Sequence, residues 1–595
     1  MRAAHQALLI SLFTLGLSHG AVQAGVPAHA SEPRPVTGIA TWDNGDSGNP
    51  HAPAAPSKPV MAQHAMVVTD QHYATSVGLE ILREGGNAVD AAVAVGYAQA
   101  VVNPCCGNIG GGGFMTIHLA NGTNVFLDFR EKAPLKATST LFQDAHGNVI
   151  PGRSTKTYLG VGVPGTVMGL NAALSKYGTM SLRRVMAPAI KLARDGFRLQ
   201  PGDITILRAH TQDFAAHPNV ASIFLNHGRP WKAGEVLRQP QLGRTLELIE
   251  TNGTRAFYAG PIARTIVAAS NRHGGILRLR DFHRYTVVWA KPVECRYRGY
   301  MVVTAPPPGS GVTLCEVLRV LSGYSLAQSG YGSVQATHDF SEAERHAFAD
   351  RNTYLGDPAF VHNPIRRLLS DTTIARIRAA IQPGRATPSS EVEGSLGAAE
   401  GMHTTQFSVL DAKGCAVSVT YTINALFGVG MMASNTGFFL NNEMDDFTSK
   451  PGVPNLFGLV QGHANAIEPG KRPLSSMVPT IVLRHGTVFM VTGSPGGSTI
   501  ISTTLSSIVN VIDFGMDMQQ AVDAPRLHMQ WFPDELFVEP GYLTPTTAKA
   551  LELMGYTLKP VPAWGADEAI LRNPLTHAIE GANDRRRPAG LALGY

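Results

Sequence analysis

Between residues 404 and 424 polar and apolar side chains alternate so regularly that few folds can accommodate the stretch. Phe407 and Val409 alternate with Thr404, Gln406 and Ser408, and Val417, Val419, Tyr421 and Ile423 alternate with Ser418, Thr420, Thr422 and Asn424, the period-two pattern of half-buried β-strands. Two such runs joined by a short link predict a hairpin. A three-residue loop opened by Asp411, with Gly414 in the left-handed position, sets Asp411 opposite Cys415 and Thr404 opposite Thr422. In that register the polar residues of both strands share one face and the apolar ones the other, so turn and pattern agree.

The chemistry of this stretch centres on Thr404. A threonine hydroxyl is a poor nucleophile at neutral pH, but a free α-amine, with a pKa near ~8, can serve as its base when the threonine is N-terminal. That requires cutting the peptide between His403 and Thr404. By pattern alone an ordinary strand threonine reads the same way. The preceding residues 383–403 are rich in Pro, Gly, Ser and Ala, the composition of an exposed flexible loop, and a self-cleaving chain needs slack there.

Five motifs bear on the choice: Thr404-Thr405-Gln406-Phe407-Ser408-Val409-Leu410-Asp411, Thr420-Tyr421-Thr422-Ile423-Asn424, Asn441-Asn442-Glu443-Met444-Asp445-Asp446-Phe447, Pro473-Leu474-Ser475-Ser476-Met477 and Gly493-Ser494-Pro495-Gly496-Gly497-Ser498. In order and spacing they resemble the gamma-glutamyltransferase family of N-terminal nucleophile hydrolases, and the resemblance extends over roughly residues 62 to 595. It implies an α+β fold, a four-layer αββα sandwich of two antiparallel sheets between helices. A large subunit, 62–403, and a small one, 404–595, would form it jointly after cleavage of one precursor. It implies neither cofactor nor metal.

The same resemblance supplies site residues. Leu127-Asp128-Phe129-Arg130-Glu131-Lys132-Ala133-Pro134 is similar to the family segment whose arginine anchors the glutamyl α-carboxylate; on pattern alone Arg130 would more ordinarily make a surface ion pair. Arg130 with Ser475 and Ser476 would hold the carboxylate, and Asp446, helped by Glu443 and Asn424, the ammonium. Backbone amides at Gly496 and Gly497 would form the oxyanion hole, and Thr422 would orient Thr404 and its amine. The implied reaction moves a gamma-glutamyl group from a donor such as glutathione onto Thr404 and then to water, an amino acid or a peptide. A related amidase of the glutaryl-cephalosporin type would share Thr404 and the glycines, but it has no need of the ammonium partner that Asp446 offers. Residues 449–458 are similar to the lid loop of bacterial members. Many of those carry a tyrosine in place of Phe457 and a histidine in place of Gln406. Phe457 has no hydroxyl to donate to Asn424, which bears on lid closure and on the balance of hydrolysis and transfer.

The rest of the chain adds context. Residues 1–30 read as a signal peptide, with Arg2 and His5 before the apolar run Ala7 to Leu17 and small-residue cleavage sites at Val22-Gln23-Ala24 and Ala28-His29-Ala30. Residues 31–61 read as a linker. No stretch is long enough to span a bilayer, which takes about 20 apolar residues, so an exported protein, periplasmic or secreted, is expected. A formal charge of +5 on 595 residues does not indicate nucleic acid, and the only dense basic run, Arg585-Arg586-Arg587, reads as a solvated or ion-paired tail. Five cysteines are too few and odd in number for a disulfide scaffold; Cys105 and Cys106 could bridge only with strain, and Cys295, Cys315 and Cys415 read as buried thiols, so no disulfide is expected.

Several motifs mislead. Gly45-Asp46-Ser47-Gly48-Asn49 echoes a serine-protease loop, but hardly any chain precedes it to carry the other triad members. A helix starting at Tyr73 and stopped by Gly85-Gly86 is followed by a buried helix capped by Asn87. The glycines from Gly107 to Gly113 then lead into a strand rather than a helix, which speaks against phosphate binding. Asn121-Gly122 makes the next hairpin turn. His338, Glu342 and His346 are spaced like zinc ligands on one helix, but a packed or solvated helix face accounts for them without a fourth ligand.

Overall fold

The computed structural model describes residues 58–393 and 404–595. The expected signal peptide, most of the linker with its Gly45–Asn49 loop, and His403 lie outside the described residues.

The central hairpin forms in the expected register. Thr405–Leu410 pairs with Ala416–Thr422, placing Thr405 opposite Tyr421 and Leu410 opposite Ala416. Asp411 N donates to Cys415 O at 3.0 Å, and Gly414 takes φ +84°, the left-handed value that the loop requires. Asp411 also holds the turn from within: Oδ1 accepts from Lys413 N at 2.9 Å and Cys415 N at 3.0 Å, while Oδ2 accepts from Ala88 N at 2.9 Å, tying the turn to the start of a buried helix.

One expectation needs correction. Every residue of both strands is buried, so the polar face of the hairpin meets protein rather than water. It survives burial because its side chains find partners: Ser418 Oγ donates to Thr492 O at 2.9 Å, and Gln406 Nε2 donates to Ser418 Oγ at 3.0 Å while its Oε1 accepts from Thr420 Oγ1 at 2.5 Å.

Thr492 belongs to a second sheet. Two seven-stranded sheets, antiparallel throughout, make up the centre of the molecule. The first runs, edge to edge, through Leu591–Gly594, Met66–Thr69, Thr405–Leu410, Ala416–Thr422, Gly112–His118, Asn124–Asp128 and Val288–Ala290. The second runs through Val60–Ala62, Ile579–Asn583, Glu568–Arg572, Thr487–Thr492, Thr480–Arg484, Tyr300–Thr304 and Val293–Tyr297. Met66, Val68, Leu410 and Ala416 from one sheet meet Val303, Ile481, Val491 and Ile570 from the other in a shared core. The outer face of the first sheet packs on helices His72–Arg83 and Ala88–Val102, and that of the second on Gly311–Leu321, Val334–Tyr354 and Ile500–Ile512. The layers are therefore helix, sheet, sheet, helix, the expected sandwich. Asn87 caps Ala88–Val102 through a complete capping box with Asp90, which starts a helix whose residues are all buried.

The glycine run ahead of Gly112–His118 has a steric purpose. That strand lies directly against Ala416–Thr422, and a Cβ on Gly111 would sit 2.0 Å from the carbonyl oxygen of Thr422, too close for any side chain.

Among the outlying residues one reading is corrected. Cys295 and Cys315 are joined in a disulfide, linking a strand of the second sheet to the helix that covers it, and Cys105 is bonded to Cys106; apolar surroundings, from which buried thiols were expected, suit a disulfide equally well. Cys415 is a buried thiol as expected. Of the two readings of the basic run the ion-paired one holds: Arg586 is buried and paired with Asp584 at 3.1 Å and with Glu539, and Arg585 pairs with Asp523 at 2.6 Å. His338, on the helix considered for zinc, engages Tyr556 OH through Nδ1 at 2.8 Å and Gln382 O through Nε2 at 3.0 Å, so both ring nitrogens serve packing.

Because Gly111 abuts the Thr422 carbonyl, Gly111→Ala must push the two strands apart. A cost of about 1–3 kcal/mol is expected for such overpacking, read as a lowered thermal unfolding midpoint; an unchanged midpoint would contradict the close approach.

Candidate functional site

The register of the hairpin determines where Thr404 lies. Its Oγ1 is 3.3 Å from Thr422 Oγ1 across the strands, and both residues are buried. Thr422 Oγ1 also accepts from Asn424 N at 2.8 Å. Asn424 takes φ +72°, turning the chain out of the strand, and its Nδ2 donates to Asn442 O at 3.0 Å. On the opposite face of the hairpin, Thr405 Oγ1 lies 2.8 Å from both oxygens of Asp70, which also accepts from Gln99 Nε2 at 2.7 Å and Asn103 Nδ2 at 3.0 Å. The residue next to Thr404 is thereby tied to Ala88–Val102 and the turn beyond it.

A pocket of about 290 Å³, counting its open mouth, is lined by Thr404, Thr422, Asn424, Arg130, Glu443, Asp446, Ser475, Ser476 and Gly497, together with Arg351, Phe457, Leu459, Leu474, Met477 and Ile500. It brings together sequence-selected residues from six separate motifs. Gly496, the neighbour of Gly497, lines a larger, mostly apolar cleft. Both glycines have positive φ, +140° and +57°, and they lead through a short 3₁₀ turn into helix Ile500–Ile512. Their amides therefore sit at the positive end of a helix dipole, where developing negative charge is stabilised.

The acidic turn Glu443–Asp446 is held by asparagines. Asn441 Oδ1 accepts from Glu443 N at 3.0 Å and from Gly162 N at 2.9 Å, and its Nδ2 reaches Gly110 O at 2.8 Å. Asn465 Nδ2 donates to Asp446 O at 2.6 Å, and Asn465 Oδ1 accepts from Leu474 N at 2.8 Å; one side chain thus fixes the acidic turn against the Ser475–Ser476 segment. Asp445 faces away from the pocket, accepting from Ser154 Oγ at 2.5 Å and Leu456 N at 2.8 Å.

Arg130 lies at the end of Asn124–Asp128, as its motif requires, but not apart from the carboxylates. Its guanidinium pairs directly with both Glu443 and Asp446, lies 3.5 Å from Glu131, and donates through Nε to Pro473 O at 3.3 Å. The residues assigned to opposite poles of a substrate are here each other's partners. Burial works against the Arg130 charge, but Glu443 and Asp446 outweigh it and hold its pKa above the ordinary value. One guanidinium cannot balance three buried carboxyls, and the excess is met by protonation. Burial pushes Asp446 up to about 8 and Glu131 up to about 7, in both cases against the pull of Arg130, and pushes Glu443 well above the usual carboxylate range.

Phe457 is buried and faces the pocket, and its loop is held without a phenol. Leu456 N is bound to Asp445, Gln143 Nε2 donates to Ser449 O at 2.6 Å, and Lys450 Nζ donates to Gly147 O at 2.8 Å. Gln406 lies between the sheets rather than in the pocket. Arg351, Asp70, Asn441 and Asn465 carry much of this architecture and were not assigned from the sequence. Asn441 stands inside the acidic motif, while the partners of Asp70 and Asn465 lie too far along the chain to show in any local pattern.

A family model described as gamma-glutamyltranspeptidase matches residues 74–594. A glutathione hydrolase proenzyme of Pseudomonas sp. (strain A14) is 52% identical over 552 residues, covering 91% of this chain and 96% of that one. One from Escherichia coli (strain K12) is 46% identical, covering 90% and 93%. Among solved structures, a cephalosporin acylase from Bacillus halodurans superposes with a TM-score of 0.81 at 28% identity, covering 92% of this chain and 99% of that one.

If Asp445 is what pins the loop over the pocket, Asp445→Ala should speed amide hydrogen exchange across residues 449–459 by about tenfold or more, the opening of roughly one charged hydrogen bond. Phe457→Tyr should leave it unchanged. Equal protection in Asp445→Ala would show that the loop is held elsewhere.

Proposed function

The chain belongs to the gamma-glutamyltranspeptidase family, and from that premise we propose that it is a self-cleaving gamma-glutamyl acyltransferase and glutathione hydrolase. The observation that carries this reading is Thr404 at the head of a buried strand, 3.3 Å from Thr422, in one pocket with Gly497 and the Arg130–Asp446 pair.

In the precursor, Thr404 Oγ1 attacks the carbonyl carbon of His403. The acyl group moves from nitrogen to oxygen, and water hydrolyses the ester, leaving a free α-amine on Thr404. Two subunits result, 62–403 and 404–595. In the mature enzyme that amine takes the hydroxyl proton as Oγ1 attacks the gamma-carbonyl of the donor. The oxyanion forms against the amides of Gly496 and Gly497. Collapse transfers the proton to the departing amine and leaves a gamma-glutamyl ester on Thr404, which water, an amino acid or a peptide then opens.

The glutamyl head is a zwitterion, and it enters a pocket whose own charges are paired. Its carboxylate competes for Arg130 beside Ser475 and Ser476, and its ammonium takes up Asp446 with Glu443 and Asn424. An acyl group that lacks the amine offers those carboxyls nothing, which disfavours the glutaryl-amidase reading that the acylase neighbour raises. Residues 1–30 are proposed as a signal peptide directing the chain to the periplasm or the medium; among the described residues no helix is long and apolar enough to cross a membrane.

Intact mass tests the maturation step. The unaltered protein should yield a fragment of about 20 kDa beginning Thr-Thr-Gln-Phe-Ser, and Thr404→Ala should remain one uncut chain. A cut, active Thr404→Ala protein would refute the mechanism.

Donor binding should also depend on pH with a definite sign. Asp446, raised to about 8, holds a proton below that value, so seating an ammonium group there expels it. The donor KM should rise as pH falls below about 8, by up to tenfold per unit for one proton. Asp446→Asn, with no proton to lose, should bind weakly and lack that slope; a wild-type KM flat from pH 6 to 8 would count against ammonium recognition by Asp446.

A further inference from the structure

Arg351 is a second buried guanidinium in the same pocket wall. It lies in the last turn of helix Val334–Tyr354, 1% exposed, and lines the cavity that contains Thr404, Ser475 and Ser476. Arg130 is paired with two carboxylates, whereas among the described residues no carboxylate lies within ion-pair distance of Arg351. Its acceptors are neutral: Ser310 Oγ at 2.7 Å from Nε, Asn352 Oδ1 at 2.8 Å from one terminal nitrogen, and Ser476 Oγ at 3.1 Å from the other. A buried cation with no carboxylate in contact is costly to maintain. Burial, with Arg130 nearby, lowers its pKa to about 10, while Asp446 works the other way, so it keeps its charge at neutral pH.

The hydrogen-bond directions add a second observation. Ser310 Oγ donates its proton to Ser475 O at 2.6 Å, so towards Arg351 it can only accept, and it clamps Ser475 to the guanidinium. Ser475 N donates to Pro308 O at 2.7 Å, fixing the segment from its other side. Ser476 Oγ likewise accepts from Arg351, which occupies a lone pair and leaves its hydroxyl hydrogen to point elsewhere. Ser476 lines the pocket. Arg351 therefore leaves the Ser476 hydroxyl free to donate to a ligand and adds a positive charge that no carboxylate contacts. Both features suit an anion.

We infer that Arg351 is a specificity-determining residue for the acyl donor, supplying the counter-charge for the donor carboxylate and orienting the Ser476 hydroxyl to donate to it. The inference rests on the gamma-glutamyl reading above. It also bears on the pairing of Arg130: a guanidinium whose terminal nitrogens already contact Glu443 and Asp446 is a poor sole anchor for an incoming carboxylate, and Arg351 brings a second one.

The test compares a chromogenic gamma-glutamyl anilide with the same anilide bearing a carboxamide in place of the α-carboxylate, on wild-type protein, Arg351→Met and Arg351→Lys, with maturation followed by gel. Wild-type protein inactive on the anilide would overturn the gamma-glutamyl reading itself. With an active wild type, Arg351→Met should mature into two fragments yet raise the KM of the carboxylate donor tenfold or more, with kcat changing far less, and reduce the preference for carboxylate over carboxamide by at least tenfold. Arg351→Lys keeps the charge but not the fork on Ser310 and Ser476, and should fall between. Should Arg351→Met not mature, the lysine variant decides alone. Matured variants with wild-type KM and undiminished carboxylate preference would overturn the inference and leave the gamma-glutamyl reading standing.

Discussion

A hairpin buried on both faces has to satisfy every polar atom it carries inside the protein, and the rest of this structure is arranged around that demand. On one face Gln406, Ser418 and Thr420 bond to one another and to Thr492 of the second sheet. On the other, Thr405 is held by Asp70, and through it by Gln99 and Asn103. A strand fixed this way from both sides cannot slip or roll. Thr404, one residue before Thr405, is thereby held opposite Thr422, with little freedom for its hydroxyl to sample other directions. Preorganisation of that kind is what a weak nucleophile needs, since the cost of ordering is met in folding rather than in the reaction.

The same burial dictates the electrostatics of the pocket. With Glu131, Glu443 and Asp446 gathered near one guanidinium, the site cannot carry all its charges unaided, and protons make up the difference until a ligand does. A zwitterionic head group adds no net charge, but its ammonium lets a carboxyl beside it ionise while its carboxylate meets a guanidinium. Selectivity then arises because ligands lacking either charge leave buried groups unmatched, a penalty that falls on the wrong ligand rather than a bonus for the right one.

Much of this was legible in the chain, for a specific reason. The hairpin register could be derived because turn chemistry at Asp411 and Gly414 and the period-two pattern are both local and agree with each other. Arg130, the acidic turn and the Gly496–Gly497 loop were located by motif, and the fold brings all but Gly496 to one cavity. What escaped were long-range relations. Asp70 and Thr405 are separated by 335 positions, and neither advertises the other. Arg586 lies in a basic run of the kind that usually faces solvent, but Glu539, 47 positions earlier, draws it into the core. Cys295 and Cys315 could be read as buried but not as bonded, since spacing carries no information on whether two Cβ vectors point at each other.

Phe457 marks the boundary between the two kinds of information. Its lack of a hydroxyl is visible in the sequence and suggests a lid without its latch. The structure instead secures the loop through backbone groups, above all the amide of Leu456 on Asp445, and leaves the aromatic ring to close one wall of the pocket. A backbone latch is indifferent to the side chain that it carries. The loss of one phenol therefore removes a contact with the ligand side of the pocket without releasing the loop, and its effect belongs to the partition of the acyl ester between acceptors rather than to its formation on Thr404.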